Sequence, residues 1–223
     1  MELWAWALLV AAVIGALWYF QRLAHKKKVA EFTAYAAKRG WRYREKDHEL
    51  ADRFTGRPFG IGHGRRVTHV LRGSHRDRDV LVFQYTYKET TGAGDERKTE
   101  IYHRTVAALP TPAPRPTLEV TRKGLGRKLL DVFGGRGLRL DSEEFNKTFV
   151  VETEDETFAR DVLGPGMVEW LLSDYRPRTI PFRFERADLL VWRPGEINLS
   201  AVDELADYVC DILDRTPSFV WKP

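Results

Sequence analysis

LWAWALLVAAVIGALWYF, from Leu3 to Phe20, carries no charged residue over eighteen positions and decides how the rest of the 223-residue chain is read. At ~1.5 Å per residue a helix of that length covers ~27 Å, close to the ~30 Å hydrocarbon core of a bilayer. Trp4 and Trp6 stand near one end of the run, and Trp18 and Tyr19 near the other. Amphipathic rings settle in this way at the two headgroup levels. A cleaved signal peptide fits less well, because a positive n-region is missing, the run exceeds the usual ~7–15 residues and no small-x-small site follows. Residues 1–21 are therefore expected to be a transmembrane anchor, with Leu3, Trp4, Trp6, Trp18, Tyr19 and Phe20 as its bounding and interfacial residues.

The flanks set the orientation. Arg22, Lys26, Lys27 and Lys28 follow the apolar run, whereas only Glu2 precedes it. The positive-inside rule then leaves the N-terminus outside and the soluble part in the cytoplasm, a single-pass protein of the cell membrane. The same four cations are topology determinants or ligands of anionic lipid, each contributing ~1 kcal/mol near a charged leaflet. Ala7, Ala11 and Gly15 recur at every fourth position, a spacing that permits close helix approach and a homodimer through the span.

Further along, 43% hydrophobic and 12% aromatic residues supply a packed core and exclude wholesale disorder. The single Cys210 excludes an internal disulfide framework and any multi-cysteine metal site. The net charge of +4 conceals a division: 27 Lys and Arg against 14 Asp and Glu up to Leu140, then 9 against 18. Such a basic half invites a nucleic-acid reading. A tether beside an anionic leaflet, or neutralisation of one half by the other, accounts for it more simply, so no nucleic acid is expected as a partner.

The anchor helix is expected to run on through residues 22–40 as a basic juxtamembrane helix that stops at Gly40. A soluble domain over 41–223 follows. Strands are expected at Trp41–Glu45, Arg66–Arg72, Val80–Tyr87, Thr99–Leu109 and Leu118–Thr121, the second and third forming a hairpin across GSHRDRD. PTPAPRP, Pro110 to Pro116, reads as an extended surface crossover. LGRKLLDVF reads as a short helix ended by Gly134 and Gly135, followed by a short strand at Leu138–Leu140. Ser142 reads as a cap, FVVE as a strand, and Thr153 with Glu156 as a capping box opening a helix to Leu163. Helical residues Met167–Ser173 come next, then TIPFRFE and DLLVW as a hairpin. A last helix is expected from Ser200 to before Pro217, with Val202, Leu205, Val209 and Leu213 as its buried stripe. The class is α+β: an N-terminal transmembrane helix, then a domain with antiparallel sheet and flanking short helices.

Signals for chemistry are thin. His63, His69 and His75 stand six apart, and His103 lies on a neighbouring strand, but tight ligand spacing to a carboxylate or cysteine is lacking. Gly60-Ile61-Gly62-His63-Gly64 is neither a dinucleotide fingerprint nor a P-loop, and reads as a flexible loop. The carboxylate pairs Glu143–Glu144, Asp155–Glu156 and Asp203–Glu204 fit helix starts. In Trp41-Arg42-Tyr43-Arg44, strand alternation puts the rings on one face and the guanidinium groups on the other. No residue is singled out as catalytic, and neither a metal nor a cofactor is expected.

LRGSHRDRDVLVFQY, the proline crossover, EEFNKTFVVETEDETFARDVLGPGMVEWLL and DLLVWRP occur in an order that resembles a family of bacterial membrane-anchored proteins classed as a domain of unknown function. The resemblance covers roughly residues 65–205. It is most specific at Glu144, Phe145, Phe149, Val151, Asp155, Ala159, Leu163, Pro165 and Met167. It implies a membrane anchor and brings no assigned activity. The expectation is a non-enzymatic interaction or scaffold module whose partners are the lipid bilayer and another protein. The alternative is a membrane-tethered hydrolase assembled from scattered residues such as His69, His103 and nearby carboxylates.

Overall fold

A computed structural model describes residues 2–92, 94–124 and 137–222. Helix α1 runs unbroken from Glu2 to Lys38. Its end is a Schellman turn: the Trp41 N–H reaches the Ala36 carbonyl (2.8 Å) and the Gly40 N–H that of Ala37 (3.2 Å). That turn needs a left-handed residue, and Gly40 supplies it at φ 67°. The helix is long and apolar enough to cross a membrane, and its apolar window has no part buried in the protein. Trp6, Trp18, Tyr19 and Phe20 are exposed, while the side chains of Leu3 and Trp4 lie outside the described residues. The last two turns behave differently, because Phe32 and Ala36 are buried in the core of the domain that follows. Within the stretch 22–40, the last two turns of the helix are thus packed onto the sheet.

Strands β1 (Arg42–Lys46), β2 (His63–His75), β3 (Arg78–Thr91), β4 (Lys98–Arg122) and β5 (Phe149–Thr153) form an antiparallel sheet in that order, with β6 (Phe182–Pro194) against β4. The expected β2–β3 hairpin closes through Arg76 and Asp77 at φ 53° and 60°. Two consecutive left-handed residues match the twist of the flanking strands. In β3, Val80 and Val82 face the helices, whereas Leu81, Phe83 and Tyr85 face the opposite side. Both faces are covered, so VLVFQYTY is apolar throughout. Helices α2 (Glu143–Thr148), α3 (Glu156–Val162), α4 (Pro165–Ser173) and α5 (Leu199–Arg215) join the end of α1 in the first core. Leu50, Phe54 and Phe59, from the segment before β2, close the second.

β4 and β6 are each longer than expected and turn back midway. A straight strand would hold Pro181 and Trp192 ~36 Å apart at ~3.3 Å per residue. Instead the Trp192 N–H donates to the Pro181 carbonyl at 3.4 Å. The reversal falls at Arg186, φ 56°, so TIPFRFE and DLLVW lie side by side as the hairpin expected of them, within one extended element. Pro110 pairs with Asp188 and Arg115 with Arg186. PTPAPRP thus crosses over the tip of that hairpin as part of β4, in place of leaving the sheet.

Two caps differ from expectation. Asp155, not Thr153, caps α3, its Oδ1 accepting from the N–H groups of Thr157 (2.8 Å) and Phe158 (3.1 Å). A carboxylate there also meets the positive end of the helix. Asn198 caps α5 two residues ahead of Ser200, accepting from the Ala201 N–H at 2.8 Å. Ser142 caps α2 as expected. Leu138 makes a single bridge to Val151, and the helix expected over LGRKLLDVF lies outside the described residues.

Candidate functional site at the helix–sheet joint

The divided charge resolves into ion pairs between the two halves of the chain. Arg76 reaches Asp211 (2.8 Å) and Asp214, Arg78 reaches Asp214 and Arg39 reaches Asp203 (2.6 Å), and the His75 ring hydrogen-bonds Asp207 (2.8 Å). One acidic face of α5 therefore neutralises the end of α1 and the β2–β3 turn. Lys28 is drawn in as well, its Nζ 2.9 Å from Glu196 Oε2. Among the described residues no carboxylate lies within ion-pair distance of Arg22, Lys26 or Lys27, and all three are exposed. Of the four cations expected to face lipid, Arg22, Lys26 and Lys27 stand exposed, and Lys28 ties the helix to the domain.

The joint centres on His69. A bulge in β2 between Thr68 and Leu71 puts His69 in the left-handed region at φ 50°, an uncommon conformation for a bulky residue. The bulge sends both Val67 and Val70 into the second core and turns the imidazole toward α1. There it stacks on Phe32 (centroids 5.1 Å apart) and Tyr43 (6.1 Å), and Nδ1 meets the Tyr43 hydroxyl at 2.8 Å. His25, about two turns further up the same face of α1, lies 6.4 Å away and bonds Glu45 at 3.1 Å.

Burial, with positive Lys28 next in weight, pushes the His69 pKa down to about 4 from 6.5. Between those values the unfolded chain binds a proton that the folded chain refuses. Stability is therefore full above pH 6.5 and falls as the pH drops toward 4. The loss between pH 7 and 5 is expected to be on the order of 2 kcal/mol. His69→Asn, which tolerates the left-handed backbone, should flatten it in urea titrations of the detergent-solubilised full chain. An equal fall in both proteins would show that His69 is not the source.

The histidines do not converge. His63 and His75 occupy opposite ends of β2, ~40 Å apart at ~3.3 Å per residue. His63 bonds Thr90 (3.0 Å), and His103 bonds Thr86 (3.1 Å). Among the described residues no group of three or more His, Cys, Asp or Glu is placed to hold a metal ion. The glycine run serves close packing where flexibility was expected, since a Cβ on Gly62 would lie 2.3 Å from the Lys88 carbonyl oxygen. Trp41 and Tyr43 face inward and Arg42 and Arg44 outward, as alternation requires. Cys210 is wholly buried.

A buried charged cluster escaped the sequence reading. Arg183, 3% exposed, sits between β4 and the segment before β2. Its Nε and Nη2 donate to Glu119 Oε2 (2.8 and 2.6 Å), Nη1 approaches Glu185 (3.5 Å), and Nη1 and Nη2 also donate to the carbonyls of Thr55 and Arg57. The guanidinium lies 5.0 Å from the centre of the Trp192 ring. Glu185 accepts from the N–H and hydroxyl of Thr55. Beside them Glu152 is 9% exposed, and its Oε2 has no hydrogen-bond partner among the described residues. Burial first, and the neighbouring Glu119 second, push its pKa up to about 7.

No family model matches the chain, and no curated protein matches it. Among solved structures, the crystal structure of the mycobacterial trehalose monomycolate transport factor A, TtfA, superposes with a TM-score of 0.56 at 17% identity, over 83% of this chain and 94% of that one. At that identity the likeness is one of fold, an α+β domain with antiparallel sheet.

Proposed function

We propose that this is a single-pass membrane protein that holds a non-enzymatic cytoplasmic interaction domain at the inner membrane surface for another protein. One observation carries the reading: a single helix presents an unburied apolar stretch at one end and contributes Phe32 and Ala36 to the domain core at the other. A helix so divided has one partner of its own and needs lipid for the rest. Arg22, Lys26 and Lys27, exposed just past the apolar run, favour the cytoplasmic side for the domain. The resemblance to bacterial membrane-anchored proteins belongs to the same reading. The fold shared with a protein titled a transport factor agrees with an accessory role in place of catalysis. His69 and His103 are hydrogen-bonded to Tyr43 and Thr86, and nothing among the described residues favours the hydrolase alternative.

The test is extraction and topology. The full chain should stay with the membrane pellet in alkaline carbonate, and protease added to intact spheroplasts should leave the domain whole. Release by carbonate, or digestion of the domain from outside, would overturn the proposal.

A further inference from the structure

The membrane helix and the β3–β4 arm leave the domain by the same end. From Trp41, whose indole N–H reaches the Ser74 carbonyl (2.8 Å), α1 passes over β2 toward its N-terminus, meeting His69 with Phe32 and then with His25. Beyond that end of β2 lies the arm, for His63 pairs with Lys88, Lys88 with Ile101, and Thr91 with Lys98. Two contacts fix the levels: Lys28 holds Glu196, and the N–H of adjacent Gly195 donates to the His103 carbonyl at 3.0 Å.

Distances then decide where the arm ends. Eight helical residues separate Lys28 from Phe20, so the hydrocarbon begins ~12 Å beyond Lys28. The headgroup layer occupies the ~5–7 Å outside it. The strand from His103 to Lys98 extends ~17 Å. With α1 taken to lie along β1, which it meets through Phe32–Tyr43 and His25–Glu45, three strand steps accumulate ~60° of twist between β1 and β4, and even at that inclination ~8 Å of the reach lies along the helix axis. We infer that the far end of the arm, Thr90–Thr91 with Lys98–Thr99, rests in the headgroup layer of the bilayer that α1 crosses. The contact deepens the anchored reading and rests on it: lipid meets the domain at two places.

Its chemistry suits headgroups more than acyl chains. Glu89 is matched by Arg57 (3.8 Å), and Glu100 by Lys98 (2.7 Å) and the Tyr102 hydroxyl (2.7 Å), while Thr90 and Thr99 bond each other at 2.9 Å. Ile101 is 52% exposed, an apolar side chain just above the proposed waterline.

Single cysteines placed by Thr91→Cys, Asp79→Cys and Ile14→Cys in the full chain, each labelled with a fluorophore, test the contact. Asp79 and Thr91 lie at opposite ends of β3. Wholly buried Cys210 stays in place, and the unsubstituted protein gives the labelling background. The chain is reconstituted in phosphatidylcholine–phosphatidylglycerol vesicles carrying a nitroxide on the headgroup or on the acyl chain. The expected result is several-fold stronger headgroup quenching at position 91 than at 79, with acyl-chain quenching at 14. Equal quenching at 91 and 79 with position 14 quenched would overturn the arm contact alone. An unquenched position 14 would overturn the anchor, and the arm contact with it.

Discussion

Arg183→Ala is expected to destabilise the domain by about 3–5 kcal/mol, because it leaves buried carboxylates without their counter-charge. The guanidinium serves Glu119, Glu185 and the carbonyls of Thr55 and Arg57 at once. Lysine, a point charge without the planar fork, should recover little. Removing the whole group is a different matter: Arg183→Met with Glu119→Gln and Glu185→Gln should regain most of the loss, since an intact buried pair contributes little net stability. Glu152→Gln moves the opposite way. Its carboxyl takes up a proton more readily in the folded chain, so stability is lost as the pH rises from 4.5 through about 7, and the amide should remove that loss at pH 8. Urea unfolding of the full chain in detergent measures each variant. A loss below about 1 kcal/mol for Arg183→Ala would mean that the carboxylates find water.

Phe32→Ala should cost about 3–5 kcal/mol, concentrated at the joint between α1 and the sheet. Phe32 is 1% exposed and stacks on His69 and Tyr43. Without it the last turns of α1 keep the Tyr35–Asp203 and Arg39–Asp203 contacts, Lys28–Glu196, His25–Glu45 and the packing of Tyr35 and Ala36. Amide exchange over 29–38 should quicken about a hundredfold to a few thousandfold while the centres of β3 and β4 keep their protection. Uniform acceleration throughout would show that helix and sheet open as one unit, and unchanged exchange would show that Phe32 does not hold them together.

Local signals predicted the elements well. The uncharged run, Gly40 as a stop, the β2–β3 turn and Ser142 as a cap all act through neighbours in the chain. What escaped depends on partners far away in sequence. Arg183 and Glu185 occupy alternate positions of a strand, the pattern of a solvated face, and nothing nearby reveals that Thr55 and Arg57 will cover them. Lys28 looks like one of three equivalent lysines until Glu196 selects it. The reversal shared by β4 and β6 was half visible: the prolines mark the crossover and the apolar periodicity marks the hairpin, but only their register joins the two. Asp155 outcompeted Thr153 because a carboxylate meets two N–H groups at the helix start, a difference that a motif search does not weigh.

In the anchored arrangement proposed above, α1, unbroken from its apolar run to Phe32, would work as a rigid lever. Bilayer thickness alters the inclination of a spanning helix, and a change of ~10° would sweep a point ~40 Å from the pivot through ~7 Å. The hairpin tip at Arg186 and the β2–β3 turn, at the other end of the sheet from the arm, would travel farthest, turning a small lipid-imposed angle into a displacement that a bound protein can feel.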